Sequence, residues 1–71
     1  MYKKGEKIKL VGVSAENFKN VFGREMYFEV DFIKAKTKRH PTMVACYPLK
    51  EDGTKGTTLY QFLPSEVEKA D

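Results

Sequence analysis

The sequence predicts a small, mainly β fold. The expected form is a four- to five-stranded antiparallel sheet, strongly bent, with one short helix or ordered loop near 15–22. Three observations carry that expectation. Apolar and polar residues alternate over Glu6–Leu10 and again over Met26–Phe32, the period of a half-buried strand. The run Met26–Arg39 then changes phase halfway. Its even positions read Phe28, Val30, Phe32 and then Lys34, Lys36, Lys38; its odd positions read Glu29, Asp31 and then Ile33, Ala35. Each face switches character near Phe32 and Ile33, so a bulge or sharp bend is expected there. Finally, Asp52-Gly53 between two apolar runs is a hairpin signal, because tight hairpin turns need positive φ. The competing architecture is α+β, a helix packed on an antiparallel sheet.

The 71 residues suit one domain, 1–71. A chain of this length buries only about 60% of its unfolded surface, so the core is thin. The hydrophobic fraction of 41% still permits a fold, and a charged fraction of 32% leaves no run near the roughly 20 apolar residues of a membrane span. Lys3 and Lys4 are not followed by an apolar stretch, so no secretory signal is expected. Cys46 is the only cysteine and reads as a small buried side chain, which fits a reducing, cytoplasmic setting.

Along the chain, the first strand is expected over Glu6–Val13, with Ile8 and Leu10 opposite in parity to Lys7 and Lys9. Val11 and Val13 then place apolar groups on the Lys face. Ser14 suits a helix N-cap and Gly23 a C-terminal stop, and Phe18, Val21 and Phe22 share one helical face. The second strand runs over Arg24–Lys36 and connects through Thr37–Pro41 to a third over Thr42–Leu49. The fourth spans Thr57–Leu63. A two-residue turn at Asp52-Gly53 would pair Tyr47 with Thr58, Ala45 with Tyr60 and Met43 with Phe62. A three-residue loop would instead group Val44, Cys46, Tyr60 and Phe62 on one face. The first register is favoured. Pro64–Ala70 reads as a short helical turn with Ser65 and Glu68 at capping-box spacing and Val67 tucked against the sheet.

Apolar residues thus fall on both faces of several strands. One set holds Ile8, Leu10, Phe28, Val30 and Phe32; the other holds Val11, Val13, Ile33 and Ala35. One short helix cannot cover two faces, so the sheet is expected to bend into a small barrel. The order of strands, with a long first connection ahead of a three-strand meander and a short turn before a polar C-terminal end, is similar to SH3-like barrels. That resemblance implies a fold which hosts protein-binding and nucleic-acid-binding functions alike.

Charge is uneven. Residues 1–40 hold ten Lys/Arg and five Asp/Glu, whereas residues 41–71 hold three and five, within a net charge of +3. Lys7 and Lys9 are expected to neutralise Glu29 and Asp31 across neighbouring strands. Lys34, Lys36, Lys38, Arg39 and His40 have no acidic counterpart. On an extended strand, alternate lysines lie about 6.6 Å apart, near two phosphate steps of a nucleic-acid strand. An exposed Lys-rich edge also blocks strand aggregation.

No enzyme is expected. His40 and Cys46 are each the only residue of their type and lie six positions apart, too far for a Cys–His pair on one strand. Glu29 and Asp31 lack a pocket to separate their pKa values. Gly53-Thr54-Lys55-Gly56-Thr57-Thr58 has phosphate-loop residue types in the wrong order. No catalytic set, cofactor motif or metal-ligand spacing is present in the sequence. The expected function is a small binding module that engages a protein partner through an apolar sheet face or edge, chiefly Met43, Tyr47, Leu49 and Tyr60. The alternative is a DNA- or RNA-binding accessory protein that uses Lys34, Lys36, Lys38, Arg39 and His40. A second copy of the chain is a further partner that would cover the spare apolar face.

Overall fold

The computed structural model describes residues 2–70. It contains β1 (Lys7–Leu10), α1 (Gly12–Phe22), β2 (Tyr27–Lys34), β3 (Met43–Leu49), β4 (Tyr60–Phe62), a 3₁₀ turn (Pro64–Glu66) and β5 (Val67–Lys69). The strands form one antiparallel sheet in the order β4-β3-β2-β1-β5. This is the small, mainly β antiparallel fold with one helix that the patterning predicts; its fifth strand, β5, falls in the tail where no strand was expected.

The topology itself requires a strong bend. β4 and β5 are opposite edges of the sheet, yet only Leu63–Glu66 join them. In a flat sheet the two edges would stand about 19 Å apart, four spacings of about 4.8 Å. A linker of this length that includes a 3₁₀ turn reaches only about 15 Å. The sheet therefore curls until both edges approach one core, which holds Phe62 of β4 and Val67 of β5 together. β4 and β5 do not pair with each other, so the curl stays open in its hydrogen bonding.

The β2–β3 register shifts at the phase change. β2 and β3 pair Val30 with Cys46 and then Phe32 with Ala45, which leaves Asp31 as an extra residue in a β-bulge. Beyond the bulge Ile33 pairs with Val44. Ile33 thereby turns to the core face, while Phe32 turns outward and is 44% exposed. One inserted residue explains why the two halves of the run have opposite parity. The N-terminal turn is fastened beside it: the Gly5 N–H donates to the Val30 carbonyl at 2.8 Å, and the Val30 N–H donates to the Glu6 carbonyl at 2.9 Å.

The core consists of Ile8, Leu10, Met26, Phe28, Val30, Val44, Cys46, Phe62 and Val67 on the concave face. The helix covers it through Ala15 and Phe18, both half-buried. The Phe18 ring meets Phe28 at 5.9 Å, Tyr60 at 5.5 Å and Phe62 at 5.5 Å, each edge-on. Such pairs add about 0.5–1.5 kcal/mol each beyond burial.

Several local expectations are corrected. The helix begins at Gly12 rather than after Ser14, because Gly12 at φ +67° turns the chain directly out of β1. Ser14 is therefore inside the helix, and its hydroxyl donates to the Glu66 carboxylate instead of capping. The stop at Gly23 stands: its φ is +73° and its N–H donates to the Lys19 carbonyl at 2.8 Å. The favoured two-residue hairpin register does not form. Lys50 and Thr54 close a loop of Glu51-Asp52-Gly53, in which only Gly53 has positive φ. Beyond the Leu49–Lys55 bridge the register shifts by two residues, and β3 and β4 pair Cys46 with Tyr60 and Val44 with Phe62, which keeps the face grouping expected of the longer loop. The tail does hold one short helical turn, the 3₁₀ turn at Pro64–Glu66, but it is capped by Glu66 on the Leu63 N–H rather than by a Ser65–Glu68 pair, and Val67–Lys69 continues as a strand. Val67 is buried as expected, but β5 pairs with β1 at Leu10–Val67. Of the second apolar set, Val13 is 77% exposed on the helix, Ile33 joins the core and Ala35 lies exposed in the loop.

Two outcomes follow from this packing. Deletion of Asp31 should leave a folded protein, because Phe32 and Ile33 keep their present faces once the bulge is removed. Deletion of Glu29 should cost about 3–5 kcal/mol, because it forces Phe28 or Val30 out of the core. Urea titrations of the two deletions followed by circular dichroism compare them; equal loss would refute the bulge as the origin of the phase change. The second outcome concerns Cys46, whose burial pushes its thiol from its ordinary value near 9.0 up to about 12. The folded protein favours the neutral thiol, so this stabilisation is intact below pH 9 and declines between pH 9 and 12, as the unfolded chain loses its proton first. Cys46→Ala should be less stable by about 1–2 kcal/mol at neutral pH, and the gap should narrow across that alkaline window. A constant gap would contradict it.

Candidate binding surface

The convex face of the sheet is the candidate surface, since the concave face is filled by the core and the helix. Its middle carries ordered charge. Lys7 lies directly opposite Glu29 in the β1–β2 register, as the alternation predicts. The ion pairs, however, form with other partners. Glu29 is held by Lys55 at 3.3 Å, Asp31 by Lys4 at 3.7 Å, and Lys9 by Glu68 at 3.4 Å. Lys7 instead sits over the Tyr27 ring, 4.6 Å from its centroid. The two carboxylates are neutralised, but by loop and edge lysines that the strand pattern did not contain.

The four residues expected at a protein interface do not form one surface. Met43, Tyr47 and Leu49 share a parity on β3 and face the convex side, half-buried. Tyr60 faces the other way, where its ring packs against Phe18 at 5.5 Å and Phe28 at 5.7 Å. The cause is the hairpin register, which moves Tyr60 to the face of Cys46. Tyr47 is also engaged, since the Lys55 ammonium lies 5.3 Å from its ring centroid.

The basic segment is a loop rather than a strand. β2 ends at Lys34, opposite Met43, the first residue of β3, so nothing beyond it has a ladder partner. Lys36, Lys38, Arg39 and His40 are exposed in that loop. The regular lysine spacing of an extended strand is therefore not realised. Thr37 orders the tip: its hydroxyl oxygen accepts from the N–H groups of Arg39 at 3.3 Å and His40 at 3.1 Å. Its own N–H donates to the His40 carbonyl at 2.9 Å. None of Lys34, Lys36, Lys38 and Arg39 enters an ion pair among the described residues, whereas Lys4, Lys9, Arg24, Lys55 and Lys69 all do.

Loop and sheet together enclose a groove of about 430 Å³. Pro41, Met43 and Leu63 give it apolar walls, Gln61 contributes an amide, and Lys34 and His40 stand on its basic side, with Glu66 at the end. Phe32 is exposed on the same convex face, paired with Ala45 next to Gln61. The strand pattern placed Phe32 in the core. The signal that it belongs outside was its parity with Lys34, readable once the bulge is located at Asp31.

A second groove, about 300 Å³, lies at the opposite end between Lys7, Arg24, Tyr27 and Lys50. Its arginine is already satisfied, donating to the Leu49 carbonyl at 2.8 Å and pairing with Glu51 at 3.7 Å. Near it, the Asp52 carboxyl is held below its usual range by hydrogen bonds from the Thr54 hydroxyl at 2.6 Å and the Thr54 N–H at 3.0 Å. Those bonds brace the Glu51–Gly53 loop.

The titratable residues weighed for chemistry lie apart. His40 is exposed in the loop and Cys46 is fully buried on the core face of β3. Glu29 and Asp31 are separated by the start of the bulge and paired with different lysines. Among the described residues no group of three or more His, Cys, Asp or Glu is placed to hold a metal ion, and no helix is long and apolar enough to cross a membrane. Comparison of the chain with protein-family models, with curated proteins and with solved structures gave no match.

Proposed function

We propose that this chain is a non-catalytic cytoplasmic binding module that receives an apolar, acid-flanked segment of another protein. The observation that carries the reading is the groove of about 430 Å³, with apolar walls at Pro41, Met43 and Leu63 and the basic residues Lys34 and His40 on one side. Apolar walls favour Leu-, Ile- or Phe-type anchors, and the Lys34 ammonium on one side, with the basic loop beyond it, favours Asp or Glu beside them. Phe32, exposed on the same face, extends the contact. The order of strands, with a helix-bearing first connection ahead of the β2-β3-β4 meander, supports the likeness to SH3-like barrels drawn from the sequence.

A second reading rests on a separate observation. Lys34, Lys36, Lys38, Arg39 and His40 form an exposed run, and no Asp or Glu occurs between Asp31 and Glu51 to offset it. Such a loop suits phosphate oxygens. Against it, the groove beside the loop is walled by aliphatic and proline groups, and Phe32 is the one exposed ring there for a base to stack on.

The two readings separate in one experiment. The folded chain, immobilised, is exposed to a host extract with and without nuclease, in parallel with Phe32→Ser, Met43→Glu and Lys36→Glu/Lys38→Glu. The first reading expects a protein that survives nuclease and is retained about tenfold less by Phe32→Ser and by Met43→Glu, a loss of about 1.4 kcal/mol. Retained material that disappears with nuclease and with Lys36→Glu/Lys38→Glu, but ignores Phe32→Ser, would replace it with the second. Retention unchanged by all three variants would sink both.

A further inference from the structure

The two edges of the sheet are protected very differently. β5 is a charged edge: Glu68 pairs with Lys9 at 3.4 Å and Lys69 with Glu6 at 3.7 Å. Charged side chains on an edge discourage another strand from adding to it. β4 carries no charged side chain of its own; the one charged group at its end is Glu66, whose carboxylate accepts from the Leu63 N–H at 2.8 Å and leaves the Gln61 centre of the strand unguarded. Residues 56–64 contain no Asp, Glu, Lys or Arg, in a chain whose charged fraction is 32%. Leu59 and Leu63, which flank β4, are 39% and 37% exposed, and Gln61 between them is exposed as well.

The sequence of this unguarded edge is also self-complementary. Leu59-Tyr60-Gln61-Phe62-Leu63 reads nearly the same in both directions about Gln61. An antiparallel strand related by a two-fold axis at Gln61 would place Leu59 opposite Leu63 of the second copy. Tyr60 would fall opposite Phe62 of the second copy, and Gln61 opposite its own mate. Every pair matches like with like, and no charge is opposed. The same operation on β5 fails, because a two-fold axis at Glu68 would set Glu68 against Glu68. On the core side, Tyr60 and Phe62 are already stacked with parallel rings 6.0 Å apart, so a second β4 would continue that aromatic row.

We infer that β4 is the contact edge between two copies of this chain, paired antiparallel about Gln61 into one continuous sheet. The inference concerns the strand edge and does not rest on the partner segment proposed for the groove. Its test needs no partner protein. Sedimentation of the unmodified chain over a concentration series should show a reversible monomer–dimer equilibrium. Gln61→Lys, an exposed substitution that sets like charges on the axis, should weaken the dimer about tenfold or more. Its circular dichroism spectrum should match the parent.

Cysteine pairing reads the register directly. Opposite residues of an antiparallel pair have Cα atoms about 4.5–5.5 Å apart, within disulfide reach. Gln61→Cys should therefore cross-link with itself under mild oxidation. Leu59→Cys alone should not, whereas a mixture of Leu59→Cys and Leu63→Cys should. Cys46 is buried and does not compete. A chain that stays monomeric at about millimolar concentration, weaker than any stable pairing, would overturn the inference. So would a dimer unaffected by Gln61→Lys, or cross-linking without regard to register. A monomer whose β4 instead captures a strand of a different protein, lost on Gln61→Lys, would assign the edge to that protein and equally overturn it.

Discussion

Four aromatic rings hold together segments that the backbone keeps apart. Phe18 comes from the helix, Phe28 from β2, and Tyr60 and Phe62 from β4, with ring centroids between 5.2 and 6.0 Å. The helix has no fully buried residue of its own, so its seat depends on Phe18 and Ala15. β4 has only three paired residues, too few to fix a strand without side-chain packing. The cluster also sets the curvature. It draws β4 inward over the core, and the short link to β5 then brings the opposite edge round to Val67. Helix position, edge position and bend are consequences of the same contact.

A constraint of parity sits beneath that cluster. A thin domain buries one sheet face well and not two, so each core strand must keep its apolar side chains on one side throughout. β2 cannot do so by simple alternation, because its sequence changes phase. The bulge at Asp31 restores the match by adding one residue, which turns Ile33 in and Phe32 out. The phase change was legible in the sequence, and so was the need for a bulge or bend there. Which residues then fell on which face was not, because alternation alone does not say which residue is the extra one. The hairpin was similar. Asp52-Gly53 marked the turn, but both a two- and a three-residue loop satisfied the turn chemistry. The choice was made by packing: only the longer loop's parity puts Tyr60 and Phe62 beside Phe28 and Phe18.

Charges were legible in sum and not in partnership. Glu29 and Asp31 needed cations, and they have them, but from Lys55 and Lys4. Both donors sit on loops, whose approach depends on the curl of the sheet and leaves no periodic trace. β5 was hidden for a related reason. Val67-Glu68-Lys69 is too short to show alternation, and becomes a strand only because β1 offers an unpaired edge at the end of the bend. The basic run at 34–40 was the reverse case. Its composition was plain, but its spacing on an ideal strand was not realised, since β3 begins at Met43 and leaves the residues after Lys34 without a ladder.

The groove and the β4 edge trace back to the same parity. Once Tyr60 and Phe62 are committed to the core, Leu59, Gln61 and Leu63 belong to the opposite set. Their exposure is then a result of the register rather than a feature of composition. Gln61 and Leu63 turn toward the convex side, where they complete the groove with Met43 and Pro41. The stretch also forms the outer boundary of the sheet, because no strand follows β4 on that side. A segment with no charge, half committed inward and half left outward, is stable at an edge only while the inward half is packed. The aromatic cluster supplies that packing. It thereby allows a short, uncharged edge to remain open in a protein whose other edge is held closed by lysines and glutamates.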